Sequence, residues 1–239
     1  MFKIGAIRLC ILSLLVLTAA ACNSELPAEI EEPDPEFARV RIVNAAAGVG
    51  GVEVIRGGVT APLATNLNYG AFTQSCVQLP ADVASTLYFR QGTDTIATAT
   101  FTPAADAKYT VFLTGSGATR RAVVLDDAHT PATGFNGVRF INASSGPGDV
   151  YVTAPDGEPT LATRVHGNIG VTAMGNAEPG FMGTEVERTR VRLYDVDVTT
   201  GTPRADIALT GLPASRLVSV VLADPAAAGP SASFLTYPC

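Results

Sequence analysis

The chain has 239 residues, with 16 Lys and Arg against 22 Asp and Glu and a net charge of −6. Residues 1–21, a predicted signal, contain Lys3 and Arg8 and no acid, so the rest carries 14 basic and 22 acidic residues, net −8. This acidic balance argues against broad electrostatic binding to nucleic acid. The 4 cysteines are too few for a disulfide-rich scaffold and form no CxxC pair.

The N-terminal residues have the order of a secretory signal. A basic start over residues 1–8 is followed by an apolar run over residues 9–17 and by small residues 18–21. The apolar run is too short to span a bilayer, which needs roughly 20 residues of helix. We therefore expect cleavage rather than a membrane span.

Two cleavage interpretations are open at this signal. Residues 19–21 fit an A-x-A site for the ordinary signal peptidase. The same residues followed by Cys22 resemble a bacterial lipobox, in which the cysteine is lipidated, although Ala19 stands where leucine is usual. Lipidation of Cys22 leaves Cys76 and Cys239, an even number in an oxidising compartment, and this favours a lipoprotein.

Residues 22–37 have the composition of a disordered tether. They hold six acidic residues and three prolines, with no basic residue. Like charges repel and prolines oppose helix and sheet. We expect an acidic linker between a lipid anchor and the folded part. Asn23 follows Cys22, which by analogy with double-membraned bacteria predicts the outer membrane or its periplasmic face as the location in the cell envelope.

The remaining chain contains an internal repeat. Residues 40–54 and 138–152 align without a gap at an offset of 98, with eight of fifteen positions identical. Farther along, residues 68–70 match residues 168–170 at an offset of 100. The repeat predicts two domains, at residues 38–130 and 136–239.

The hydrophobic pattern within each unit has the period of a β-strand. Val52 and Val54 alternate with Glu53, and glycines and prolines follow at short intervals. Residues 217–223 form a nearly continuous apolar run, which is typical of a central strand. The pattern predicts an all-β fold of two tandem immunoglobulin-like antiparallel β-sandwich domains.

The start of each unit resembles a known family. Residues 138–152 are similar to the opening of the domain of unknown function 4397, an R-V-hydrophobic-H/N-A-S-P stretch followed by a V-D-V-Y strand. Residues 66–70 and 109–111 resemble its later Gly turn and Tyr-Thr-Val strand, whereas Ala46-Ala47-Gly48 replaces its polar turn in the first unit. The resemblance covers residues 38–239 and implies a sandwich, an extracytoplasmic location and no established activity.

One string has the composition of a cation site. Asp195, Asp197 and Thr199 place oxygens at alternate positions before Gly201, as in a calcium loop. The glycine comes one position late, and the glutamate of the usual twelfth position is missing. A plain turn is the preferred interpretation, and we predict no metal and no cofactor.

No catalytic constellation stands out. His129 and His166 are far apart, and neither GxSxG nor HExxH occurs. Asp126 and Asp127 fall between the two units, where a solvated linker is expected. The sequence predicts a protein that is not an enzyme and has no catalytic residues.

Two functional classes remain. The first is a non-catalytic envelope module with a structural, adhesive or partner-binding role; the alternative is a lipoprotein that binds a sugar, peptide or ion. Expected partners are the membrane, through the lipid anchor, and an envelope protein or glycan, with no nucleic acid. Tyr69, Tyr88, Tyr151 and Tyr194 are expected to be ordinary strand residues, with Tyr88 and Tyr194 on the outer face.

The two cysteines outside the repeat suggest a bridge. Cys76 is expected on a strand of the first unit, and Cys239 follows the last predicted strand. A disulfide between them would fix the angle between the domains. The alternative is a buried free thiol at Cys76 and an exposed Cys239. The bridge requires Cα atoms within about 7 Å of each other.

Overall fold

The computed structural model describes residues 36–128, 135–144, 146–169, 182–185, 190–209, 217–223, 234–236 and 239. The predicted signal, Cys22 and nearly all of the tether lie outside these residues, as does the predicted end of the first domain at residue 130. The described residues form β-strands and one short 3-10 helix, Gly117–Thr119, with no α-helix. The prediction of an all-β, sandwich-like fold is confirmed.

The first repeat, residues 36–128, contains eight strands. They are β1 Phe37–Asn44, β2 Val52–Arg56, β3 Pro62–Leu67, β4 Val77–Pro80, β5 Ser85–Gln91, β6 Asp94–Phe101, β7 Lys108–Thr114 and β8 Arg121–Asp126. Sheet A has the order β4-β1-β7-β8, and sheet B has the order β3-β2-β5-β6.

The second repeat, residues 135–239, follows the same plan. Its strands are β9 Phe135–Asn142, β10 Gly148–Thr153, β11 Arg164–Ile169, β12 Met182–Glu185, β13 Arg190–Tyr194, β14 Ala205–Ala208, β15 Leu217–Leu222 and β16 Phe234–Thr236. Sheet C has the order β12-β9-β15-β16 and sheet D the order β11-β10-β13-β14. Strand for strand, these orders repeat those of sheets A and B, so the sequence repeat corresponds to a repeat in topology.

Each repeat departs from the predicted antiparallel arrangement at one pair. Strand β1 pairs with β7 in parallel, with Val40 opposite Tyr109, and β9 pairs with β15 in parallel, with Val138 opposite Val218. Parallel neighbours need a long crossover connection. Here the crossover consists of the strands between the parallel neighbours, β2 to β6 in the first repeat and β10 to β14 in the second.

The alternating pattern produces a core between the two sheets of each repeat. In β5, Leu87 and Phe89 are fully buried while Tyr88 is half-buried. They pack with residues of sheet A such as Ile42 and Val111. A comparable cluster, including Val150, Val191 and Val220, fills the space between sheets C and D. Burial of one such side chain contributes roughly 1.5 to 3 kcal/mol.

A third apolar cluster joins the two repeats. Val43, Phe112 and Leu125 of the first repeat pack with Ile141 and Val221 of the second. Sheet A therefore contacts sheet C through the faces turned away from their own cores. This second buried face explains the continuous apolar run of β15, which lies inside its sheet between β9 and β16, as predicted.

Within the part of the chain that the structure describes, no helix has the length and apolar character needed to span a membrane.

Candidate functional site

The predicted cysteine pair is joined in the structure. Cys76 and Cys239 form a disulfide with sulfur atoms 2.17 Å apart and Cα atoms 5.9 Å apart. Cys76 lies immediately before β4, whereas the sequence had suggested a position within a strand. Both residues are half-buried. Because Cys76 belongs to the first repeat and Cys239 to the second, the bond links the two repeats covalently.

Arg41 lies beside this disulfide. Its guanidinium donates to the carbonyl oxygens of Thr73 and Gln74, and its Nη2 lies 3.5 Å from Cys76 Sγ. The ring of Phe72 packs 5.5 Å from the guanidinium carbon. Burial lowers the pKa of Arg41, and the nearby charge of Asp127 partly opposes this. The guanidinium is therefore held in place against the sulfur.

The asparagines of the repeated motif are buried scaffold residues. Asn44 donates from Nδ2 to the carbonyls of Val49 and Leu67, and its Oδ1 accepts from the Ala46 N–H. Asn142 does the same in the second repeat, donating to the carbonyls of Gly146 and Ile169. Each asparagine ties the loop after the first strand to the end of the third strand. The asparagine of the repeated motif is thus explained by its hydrogen bonds to buried backbone carbonyl and N–H groups.

The contacts of these asparagines correct the alignment of the two repeats. Leu67 and Ile169 are equivalent as acceptors, which gives an offset of 102 at this point and not the predicted 100. The preceding residues agree, since Asn66 and Asn168 both have positive φ, at 52° and 54°. Asparagine tolerates this left-handed conformation better than most residues.

A buried polar cluster lies where the two repeats meet. Arg139 Nη2 lies 2.7 Å from Asp127 Oδ1, and both side chains are fully buried. Asp127 Oδ2 accepts from Thr110 Oγ1 at 2.6 Å, and Arg139 also donates to Ser219 Oγ. Asp127 is therefore not a solvated linker residue, and that prediction was wrong. It escaped sequence reasoning because its partners lie on two other strands, β7 and β9, that come together only in the folded chain.

The equivalence of the repeats explains this cluster's geometry. Arg41 is opposite Thr110 in sheet A, and Arg139 is opposite Ser219 in sheet C. The two arginine–hydroxyl pairs thus occupy the same position in each repeat, and Asp127 lies near both arginines. Burial raises the pKa of Asp127, and Arg139 and Thr110 offset part of that rise. Burial likewise lowers the pKa of Arg139, with Asp127 opposing it.

A second carboxylate, Asp149, organises one end of the second repeat. Its Oδ1 accepts from the Asn168 N–H at 2.6 Å, and its Oδ2 accepts from the Asp197 N–H and Arg164 Nη1, both at 3.1 Å. Burial alone would raise the pKa of Asp149. The donors of Asn168, Asp197 and Arg164 outweigh burial and hold the pKa below its ordinary value.

The predicted calcium-like string belongs to the same end. Asp195 lies 3.3 Å from Arg204 and Asp197 lies 3.4 Å from Arg164, each measured from carboxylate oxygen to Nη1. Thr199 follows shortly after this turn. The structure brings the two carboxylates, Asp195 and Asp197, near arginines, which repel a cation. Among the described residues, no group of three or more His, Cys, Asp or Glu side chains is placed to hold a metal ion.

Arg204 completes this charged end. It donates to the carbonyls of Pro147 and Gly146 and contacts Ser144 Oγ, whose backbone N–H is bound by Asn142. The side chain therefore fixes the loop between β9 and β10. Its contacts are with the protein itself, as are those of Asp149.

The remaining candidates do not converge. His129 lies outside the described residues. His166 lies on β11, 5.7 Å from the Phe140 ring, and burial lowers its pKa. Tyr194 lies on the face of β13 that is turned away from the core, as expected, but it is only 5% exposed and packs edge-on against the fully buried Tyr151.

Of the remaining tyrosines, Tyr88 lies on a strand as expected, whereas Tyr69 lies in the turn after β3 and not on a strand. Tyr88 is half-buried on β5, and Tyr69 is half-buried and packs against the cluster between the repeats. Because Tyr151 and Tyr194 are buried, the four tyrosines do not form an exposed aromatic row.

Comparison with known proteins adds one assignment. A search of curated proteins found no match. Residues 38–153 match the family described as Domain of unknown function (DUF4397). The match begins at β1, runs through the first repeat and ends at the last residue of β10. It includes both buried asparagines and both repeated arginines. Residues 38–153 are therefore identified as a DUF4397 domain, as the resemblance at the start of the repeats predicted.

Proposed function

We propose that the protein is a non-catalytic lipoprotein of the cell envelope, in which the paired β-sandwich repeats act as a rigid structural, adhesive or partner-binding module. The observation that carries the proposal is the order of the N-terminal segments. A basic start, an apolar run, small residues and Cys22 precede an acidic, proline-containing stretch. This order suits a folded unit tethered to a membrane through a lipid on Cys22.

The contacts of the charged residues support a module without turnover. Asp127, Asp149 and Arg204 form ion pairs and hydrogen bonds with neighbouring groups of the protein. Such contacts rigidify the fold and leave these groups engaged rather than poised for acid–base chemistry. The apolar cluster and the disulfide between the repeats support a single stiff body as the tethered unit.

The alternative is a lipoprotein that holds a sugar, peptide or ion between or at the ends of the repeats. That role calls for an open cleft with aromatic or ligating side chains. Val43, Phe112 and Ile141 fill the contact between the repeats, and arginines engage Asp195 and Asp197 at one end. These observations favour the first role. An envelope protein or a glycan is the expected partner at the outer surfaces.

Fractionation of cells tests the anchor. The wild-type protein is expected in the detergent phase with a covalent acyl group, and the Cys22→Ala variant is expected to lose both. Cys76→Ser is the matched control, because it changes a cysteine without touching the signal. A wild-type protein that partitions with soluble proteins and carries no acyl group would contradict the proposal.

Enzyme assays test the non-catalytic part. Turnover of any substrate that disappears on replacement of a defined cluster of Asp, Glu, His or Ser side chains would overturn it.

A further inference from the structure

We propose that the Cys76–Cys239 disulfide is a thiol–disulfide exchange site with a fixed direction, in which an external thiolate attacks Cys239 and Cys76 departs as a thiolate held by Arg41. The site would take a dithiol reductant or oxidoreductase as its partner. The inference concerns the chemistry of the bond and does not depend on the proposed lipid anchor.

The contact of Arg41 with only one of the two sulfur atoms supplies the direction. Arg41 Nη2 lies 3.5 Å from Cys76 Sγ. A guanidinium at this distance stabilises a thiolate, as basic side chains do at reactive cysteines. In exchange, a better-stabilised thiolate leaves faster, so attack on the other sulfur is favoured. Cys76 is therefore the leaving group and Cys239 the attacked sulfur.

The position of Arg41 makes this charge available when the bond opens. Contacts with the Thr73 and Gln74 carbonyls and the ring of Phe72 hold the guanidinium in place. The nearby carboxylate, Asp127, gives its two oxygens to Arg139 and Thr110. No reorganisation of Arg41 is then needed as negative charge develops on Cys76.

The steps balance without any other reagent. The incoming thiolate forms a bond to Cys239 Sγ, the bond between the two cysteines breaks, and its electron pair goes to Cys76 Sγ. The external thiol is now oxidised in a mixed disulfide, and Cys76 is reduced. The second thiolate of the dithiol partner then attacks the partner's first sulfur, which is bonded to Cys239 Sγ. The partner leaves as an internal disulfide, and Cys239 is released as a thiolate that takes up a proton from water.

The place of the bond in the fold makes the exchange locally reversible. Both cysteines are half-buried, so neither residue is fully enclosed by the fold. The apolar cluster between the repeats does not include either cysteine. In the described part of the chain, strand β16, which precedes Cys239, pairs with β15 through the three residues Phe234–Thr236. Opening the bond would free this short strand from the first repeat while the sandwich cores stay intact.

Trapping with glutathione tests the direction. The purified protein is incubated with reduced glutathione, quenched with N-ethylmaleimide and digested with trypsin, which separates Cys76 (residues 57–90) from Cys239 (residues 217–239). Mass spectrometry should find glutathione on Cys239 and maleimide on Cys76, with a preference of roughly three- to tenfold over the opposite pattern. Equal labelling, or glutathione mainly on Cys76, would overturn the proposal.

Variants connect the preference to Arg41. Arg41→Gln should abolish the preference and slow the exchange, and Arg41→Lys should retain part of both. Arg56→Gln is the control, since it removes a positive charge from sheet B and should change neither. An Arg41→Gln variant that keeps the wild-type preference would contradict the role of Arg41.

A second measurement covers the case in which Arg41→Gln fails to fold. In the reduced wild-type protein, the rate of alkylation of each cysteine is followed against pH. The midpoint for Cys76 is expected at lower pH than the midpoint for Cys239. Equal midpoints, or a lower midpoint for Cys239, would overturn the proposal without any variant.

Discussion

The two repeats have the same strand order but use the same arginine position differently. Arg41 in the first repeat holds the loop that carries Cys76 and contacts that sulfur. Arg139 in the second repeat is fully buried and pairs with Asp127. The repeated arginine position therefore supplies a fixed cation near the junction of the repeats. The non-repeated residues, Cys76 and Asp127, decide what each cation does.

The ends of the repeats differ in the same way. In the second repeat, the carboxylate of Asp149 accepts the N–H groups of Asn168 and Asp197. In the first repeat, Gly51 stands at the aligned position, and its own N–H donates to Asn68 Oδ1 at 3.0 Å. A charged acceptor thus organises one repeat and a neutral amide the other. Replacing each of these groups shows how far the likeness of the repeats extends.

The largest expected effect separates the two arginines. Arg139→Gln leaves Asp127 buried without its partner charge, so the free energy of unfolding should fall by about 3 to 5 kcal/mol. Arg41→Gln removes a half-buried group with neutral acceptors and should cost only about 1 kcal/mol. Chemical denaturation of the purified proteins measures both.

The double variant Asp127→Asn with Arg139→Gln is the control for this pair. It leaves no unpaired charge at the junction, so its loss should be smaller than that of Arg139→Gln alone. Equal losses for Arg41→Gln and Arg139→Gln would show that the two positions have the same role after all.

The covalent link between the repeats has the next largest expected effect. Replacing Cys76 and Cys239 together by serine opens a loop with a sequence separation of 163. Chain entropy gives an upper figure of roughly 4 to 5 kcal/mol for a loop of this size, and about 2 to 4 kcal/mol is the usual range. The loss should appear as a lower denaturation midpoint, and the reduced wild-type protein should show the same midpoint as the variant. An unchanged midpoint in both would mean that the bond does not constrain the unfolded chain.

The contrast between these two features also marks what the sequence could predict. The strands, the repeat and the cysteine pair could be predicted, because alternation and cysteine number are local or countable properties. The role of Asp127 could not, because it depends on which outward faces of sheets A and C meet. A period of two identifies the two faces of a strand but does not say that the second face is also covered. Val43 and Ile141 are buried in the cluster where the repeats pack together.

Tyr194 illustrates the same limit, because alternation predicted its face of the strand but not its burial. Its alternation with apolar neighbours placed it correctly on the face opposite Val191 and Leu193, which lie in the core between sheets C and D. The alternation could not show that Tyr151 and Tyr194 would be buried there. Likewise, the shift in offset from 100 to 102 became visible only through the carbonyls that Asn44 and Asn142 contact.

The buried asparagines should behave alike in the two repeats. Asn44→Ala leaves the Val49 and Leu67 carbonyls and the Ala46 N–H without their side-chain partner. Asn142→Ala does the same to the Ile169 carbonyl and the Ser144 N–H, while Arg204 still donates to the Gly146 carbonyl. Each variant should lower the free energy of unfolding by about 2 kcal/mol. The Asp replacements should cost at least as much, because a carboxylate cannot donate to the carbonyls. Denaturation midpoints measure all four variants. A large loss for one asparagine and none for the other would limit the scaffold role to a single repeat.

The smallest expected effect concerns Asp149 and its neutral counterpart, Asn68. Because the folded protein lowers the pKa of Asp149 below its ordinary value of 3.8, the carboxylate stabilises the fold at pH values above that value. This stabilisation is lost as the pH falls through the lowered pKa.

Asp149→Asn should therefore cost about 1 to 2 kcal/mol at pH 7 and progressively less below about pH 4. Asn68→Ala should cost about 1 kcal/mol with no such dependence, since an amide does not titrate. Urea denaturation of the wild type and both variants from pH 7 to pH 3 measures the differences. A constant difference in stability between wild type and Asp149→Asn over this range would mean that the charge of the carboxylate contributes nothing, and the corresponding ends of the two repeats would then be organised in the same way.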